Sequence, residues 1–255
     1  MEEKQGRQEK LTTGGNIVIK SRFLTWLDNF WYHYKWHVIV IAFFVFLGVV
    51  CFVQCASKPT GDMTVAFAGN YTLSGAQKES INNVFNGIAP KKEYGDGRET
   101  VILTDFSAYS EDELKSLYTD ENGDFAVAAY NNAKQVNTEN IKNFATYVQT
   151  GDSAVWLVSK YVYEYQNLDV LSVPLSELYE TAPESAVDEG EIGYGYAILL
   201  GDTELYQYYD ALKVLPADTL VLMPKSFALW GESSNEERYQ TFLQLYHSIV
   251  EFEAP

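Results

Sequence analysis

Val38–Val53 reads VIVIAFFVFLGVVCFV, a stretch without one charged or strongly polar side chain. With Trp36, His37, Gln54 and Cys55 the run reaches 20 residues. At a helical rise of about 1.5 Å per residue it covers the roughly 30 Å hydrocarbon core of a bilayer. The core helix of a soluble protein is seldom apolar all round over such a length. The stretch therefore predicts a transmembrane helix over residues 37–55.

The flanks orient it. Lys20, Arg22 and Lys35 lie close on the N-terminal side, whereas the distal side offers Lys58 and then no basic residue until Lys78. The excess of cations predicts a cytoplasmic N-terminus and a domain outside the cell. Trp26, Phe30, Trp31, Tyr32, Tyr34 and Trp36 crowd the entry side as an interfacial belt. Ser21 followed by Phe23, Leu24, Leu27, Phe30, Trp31 and Tyr34 has helical spacing, which predicts a short amphipathic helix along the inner membrane surface before the span.

A cleavable signal has a short basic start and an apolar region of about 7–15 residues. Here 36 residues precede a longer run, so an uncleaved anchor is expected. Cys51 and Cys55, the only two cysteines, are spaced i,i+4 and follow Val49-Val50 and Val53-Gln54 rather than the small residues of a lipoprotein site. As thiols they serve as small apolar residues in the helix, or as sites of acylation or of a disulfide-linked dimer.

Charge divides the chain. Residues 1–36 hold six basic and four acidic side chains, whereas residues 61–255 hold 11 basic and 31 acidic ones, a formal charge of −20. Such a field opposes binding to nucleic acid or to an anionic membrane surface, and it favours cations or basic partners. Overall, 47% apolar and 15% aromatic residues predict a sizeable core rather than disorder.

After a linker at residues 56–62, residues 63–255 read as one α/β domain. MTVAFAG at 63–69 is a buried strand. Leu73, Ala76, Ile81, Val84, Phe85 and Ile88 share one helical face that Pro90 closes. A polar loop at 91–97 leads to a second strand, Thr100–Asp105, and Ser110 caps a helix at 111–119. Phe125–Tyr130 reads as a third strand, Thr138 opens a helix ended by Gly151, and Ala154–Val158 makes a fourth strand. Alternating strands and helices predict an α/β sandwich with a largely parallel sheet, because a parallel neighbour needs a crossover. Beyond residue 160 the expected elements are a tyrosine-rich helix at 160–166, strands at Tyr194–Leu200 and Leu220–Met223, and a final helix begun by a Ser234–Glu237 capping box.

Chemistry-bearing motifs are sparse. His247 is the only histidine outside the N-terminal region, so a nucleophile–histidine site would have to use it, and carboxylate-only hydrolysis stays open. Asp120–Asp124 resembles the start of a calcium loop, but the sixth and twelfth positions are Phe125 and Asn131, so it reads as a turn. His33 and His37 beside the membrane read as interfacial packing rather than a metal pair. No metal or cofactor is expected. All but Tyr32 and Tyr34 of the 19 tyrosines lie beyond the apolar run, at Tyr161, Tyr163 and Tyr165 among other places. A flat ring with a hydroxyl suits sugar, peptide or protein surfaces as well as ordinary packing.

DFAVAAYNN at 124–132, GDSAVWLVSKYVYEYQNLDVLSVPLSEL at 151–178 and YAILLGDTELY at 196–206 resemble extracellular solute-binding proteins of the type-2 periplasmic fold, in a shortened form covering about half of the domain. The layout as a whole is similar to membrane-anchored proteins of Gram-positive bacteria. The resemblance implies a periplasmic-binding-protein-like fold with ligand contacts beyond the carboxyl ends of the strands, at Asn70, Tyr71, Asp105, Ser107, Tyr130 and Asn131. The missing catalytic groups and the tyrosine-rich surface favour a tethered domain that binds an envelope ligand or protein without catalysis. The alternatives are an accessory or assembly subunit of a membrane complex and, third, an envelope hydrolase.

Overall fold

The computed structural model describes residues 22–56, 61–92, 97–226 and 235–255. The chain divides into two compact units, Met1–Lys58 and Pro59–Pro255. In the first, α1 runs unbroken over Arg22–Ala56. Its segment Phe30–Cys51 has a mean hydropathy of 2.0. The helix is long and apolar enough to cross a membrane.

The separate juxtamembrane helix expected from the sequence is instead part of this one rod. Neither glycine nor proline occurs between Arg22 and Trp36, so nothing in the backbone chemistry breaks it. Spacing of i,i+4 also stacks Trp26 on Phe30 and Phe30 on Tyr34, at ring separations of 5.4 and 5.2 Å. Most of the expected linker, residues 57–60, lies outside the described residues, as do residues 93–96 of the loop at 91–97.

The second unit is a mixed α/β domain around a five-stranded sheet of order β2-β1-β3-β5-β4. The long strands β1 (Met63–Gly69), β2 (Val101–Ser107) and β3 (Ser153–Val158) are parallel, with β1 in the middle. The short β4 (Ile198–Leu199) and β5 (Leu220–Leu222) complete the sheet by antiparallel pairing to each other and of β5 to β3. The parallel part is the larger one.

Alternation along β1 sends Met63, Val65 and Phe67 to one face and Ala66 and Ala68 to the other. The first face is covered by α2 (Gly75–Ile88), through Ile81, Val84 and Phe85, and by α9 (Glu236–Val250), through Phe242, Leu245, Tyr246 and Ile249. The second face is covered by α4 (Val127–Thr150), through Ile141, Phe144 and Val148, and by α5 (Lys160–Gln166), through Val162 and Tyr163. The β1–β2 connection thus crosses one face and the β2–β3 connection the other. Two right-handed crossovers in opposite directions require that arrangement.

The exposed side of β2 is occupied by side-chain amides. Asn86 of α2 accepts from the Val101 N–H (2.7 Å) and donates to the Val101 carbonyl (3.2 Å), while Asn82 accepts from the Leu103 N–H (2.7 Å). These amides take the place of a sixth strand and satisfy edge groups that would otherwise invite another chain.

Three expectations are corrected. Phe125–Tyr130 is not a strand: Phe125 makes only an isolated bridge to Thr119, and α4 already starts at Val127 rather than Thr138. Phe125 and Val127 are exposed while Tyr130 is buried, a spacing that serves a helix lying against the domain. Of Tyr194–Leu200 only Ile198–Leu199 is strand, because Gly193 (φ 95°) and Gly195 (φ 76°) turn the chain beforehand. Finally, α9 is capped by Asn235, whose side-chain oxygen accepts from the N–H groups of Glu237 and Arg238; Ser234 lies outside the described residues.

The remaining elements are short: α3 (Glu111–Leu117), α6 (Leu168–Leu171), α7 (Leu175–Leu178), α8 (Glu204–Tyr208) and two 3-10 turns at Leu200–Asp202 and Asp210–Val214.

Candidate binding cleft at the carboxyl ends of the strands

β1 and β3 deliver their chains to opposite faces, to α2 and α5, and ligands of open α/β sheets collect beyond such carboxyl ends; the cleft found here lies to one side of that point, between the loop after β2, α3, α4 and α5. Helices α2, α3 and α5 begin at this edge. Each is capped by its own serine, Ser74, Ser110 or Ser159, and Gln77 and Glu113 close capping boxes on the first two. The helix N-termini are therefore satisfied from within the chain.

The loop after β2 is pinned by α4. Buried Asn137 accepts from the Tyr109 N–H (2.8 Å) and donates to the Tyr109 carbonyl (2.9 Å), and Asn140 donates to the Ser107 carbonyl (3.2 Å). Fixing Tyr109 in this way shapes one wall of a cleft of about 140 Å³. Lys134 of α4 and Glu111 of α3, both exposed, stand at its mouth, and Tyr130, Leu114, Ile141 and, on α5, Tyr161 and the exposed Tyr165 line it. The Tyr161 and Tyr165 rings lie 5.6 Å apart.

Charges at the mouth are paired. Glu111 Oε1 accepts from Lys134 Nζ (3.2 Å) and the Tyr130 hydroxyl (3.2 Å), with Lys115 Nζ at 3.3 Å. The lysine hydrogen bonds hold the Glu111 carboxyl below its usual range, and Glu111 raises Lys134 in return. Lys134 Nζ also lies 5.8 Å from the centre of the Tyr130 ring. Burial opposes the charged form of Glu113, yet hydrogen bonds from Ser110 and Asn70 outweigh it and lower that carboxyl too. Burial raises the Tyr161 hydroxyl, reinforced by Tyr165, Glu113 and Glu111.

The six residues expected to contact ligand are only partly gathered here. Tyr130 lines the cleft, from a helix rather than a strand end. Asn70 and Ser107 sit on the neighbouring edge: Asn70 donates to Glu113 (2.7 Å), and the Ser107 hydroxyl meets that of Thr72 (2.9 Å). Tyr71 packs against the core and its hydroxyl accepts from Gln77 (3.0 Å). Asp105 is ion-paired with Lys78 of α2. Asn131 is exposed on α4, and neither it nor Tyr71 nor Asp105 lines the cleft.

Tyr109, Glu111, Lys134 and Asn137 were not expected there. Tyr161 and Tyr165 carried a signal, since i,i+4 spacing puts them on one face of α5 while Tyr163 enters the core.

Elsewhere, Asp120 accepts through Oδ1 from the N–H groups of Asn122 (2.9 Å) and Asp124 (2.8 Å), with Gly123 at φ 86°, as a turn requires. A hollow of about 410 Å³ beside that turn is lined by Tyr118, Phe125, Asp120 and Asp124, and one of about 380 Å³ by Leu175, Tyr179, Glu180 and Tyr194. Among the described residues no group of three or more His, Cys, Asp or Glu side chains is arranged to hold a metal.

The fold and cleft define a mixed α/β domain in a chain that also carries one long apolar helix. Comparison with family models, with curated proteins and with solved structures yields no match.

Proposed function

We propose that this chain is a membrane-tethered binding protein, with residues 1–36 in the cytoplasm, the part of α1 at residues 37–55 across the cell membrane, and the acidic α/β domain outside, where the cleft recognises an envelope ligand. The observation that carries this reading is the tyrosine-lined cleft beyond the carboxyl ends of β2 and β3. It joins several rings with a few fixed polar groups, the usual make-up of a small-molecule site. The resemblance to type-2 solute-binding proteins, and the basic flank before the span, support the same reading.

The test is a thermal-melting screen of the full chain in mild detergent against sugars, amino acids, short peptides and amines. One class is expected to raise Tm saturably, as a ligand of the folded state must, and Tyr161→Ala is expected to abolish the rise.

A second reading, an accessory subunit of a membrane complex, is favoured by the ring ladder Trp26–Phe30–Tyr34 along one face of α1. Recovery of a membrane protein in fixed ratio, with no compound stabilising the chain, would select it.

A further inference from the structure

Building on the cleft as a binding site, we propose that its ligand presents a primary alkylammonium group, held between the Glu111 carboxylate and the tyrosine faces. The chain itself places such a group at the mouth. Lys134 Nζ lies 3.2 Å from Glu111 Oε1 and 5.8 Å from the centre of the Tyr130 ring, and the Tyr130 hydroxyl donates to the same oxygen. Carboxylate and ring face together are the setting that attracts an ammonium ion.

This internal occupant is easily exchanged. The Lys134 and Glu111 side chains are 52% and 58% exposed, so their ion pair is screened and weak, and opening it strands no charge in the interior. The buried Leu114 and Ile141, with Tyr161, line the same cleft and offer an apolar surface for an alkyl stem, in a volume of about 140 Å³. The surrounding field points the same way: with a formal charge of −20 over residues 61–255, the domain concentrates cations at its surface and repels anions.

Three probes of equal chain length separate charge from shape: n-butylammonium, 1-butanol and butyrate, each titrated against the full chain in a polyoxyethylene detergent by saturation-transfer NMR. Butylammonium is expected to bind saturably, and at least about tenfold more tightly than the other two. Lys134→Met removes the competing ammonium and should tighten butylammonium by about threefold, whereas Glu111→Gln should weaken it by about threefold or more, as expected for an exposed charge and a cation–ring contact. Equal binding of 1-butanol, loss of butylammonium binding in Lys134→Met, or no binding of butylammonium at all overturns the assignment. If a neutral or anionic compound stabilises the chain and loses its effect in Tyr161→Ala, the cleft remains a binding site and only the ammonium group falls. If no probe binds and no compound stabilises the chain, both fall.

Discussion

The two halves of the sheet solve the same burial problem differently. In the parallel half, β1, β2 and β3 run six or seven residues each and are joined by helices that cover both faces. In the antiparallel half, β4 and β5 are two and three residues long and are held by turns, 3-10 segments and close backbone approaches. Parallel neighbours need crossovers, and crossovers bring helices whose ends crowd the carboxyl edge; antiparallel neighbours need no such crossover. The parallel half therefore has a cleft at its carboxyl edge, and the antiparallel half extends the core through tight local fits.

The largest effect is expected at the seam. Trp156 of β3 pairs with Ala66 on the parallel side and Leu222 on the antiparallel side, is 1% exposed, and donates through its indole N–H to Ser153 (3.1 Å). Trp156→Ala should cost about 3–5 kcal/mol, read as a large fall in the domain's thermal midpoint by circular dichroism. A loss below about 1 kcal/mol, on the same large-to-small scale, would mean that the halves do not share one core.

The next effect separates the halves. A Cβ on Gly201 would lie 2.6 Å from the Ala217 carbonyl oxygen, itself the acceptor of the Gly201 N–H at 2.9 Å. Gly201→Ala should therefore destabilise by about 1–3 kcal/mol, the usual range for overpacking. Asn86→Ala, in the parallel half, removes both amide bonds to Val101; it should cost about 1–2 kcal/mol and promote self-association through the uncovered β2 edge, measurable by light scattering.

At exposed Gly87 of α2 an added Cβ meets nothing within 4 Å. Gly87→Ala should stabilise by roughly 0.5–1 kcal/mol through helix propensity. Opposite signs at Gly201 and Gly87 would confirm that close fit belongs to one half and helical regularity to the other.

One pH effect is expected in alkali. Burial raises the Tyr163 hydroxyl to about 12, against about 10 in the unfolded chain. Its neutral form is favoured by the fold, so the contribution is complete below pH 10 and is lost as pH rises towards 12. Ultraviolet titration should show a late tyrosine class that ionises together with unfolding.

The same contrast governs what was legible from residues alone. β1, α2 and β3 were readable because Met63–Gly69 and Ala154–Val158 are continuous apolar runs and Ile81, Val84 and Phe85 recur at helical spacing. Phe125–Tyr130 misled, since six apolar residues suit strand or helix equally and only their continuation through Ile141 and Phe144 decides. β4 is too short for any period to develop. The carboxyl-edge rule located Asn70 and Ser107 beside the cleft, but Asn137 and Lys134 enter only once α4 starts at Val127 and lies across the loop after β2. Nothing in a single sequence fixes that approach.

The claim that the acidic domain stands outside the cell is tested most directly by protease added to intact cells carrying an epitope tag at each end. The C-terminal tag should be removed while the N-terminal tag survives on a membrane-bound fragment. Survival of the C-terminal tag with loss of the N-terminal one would contradict it.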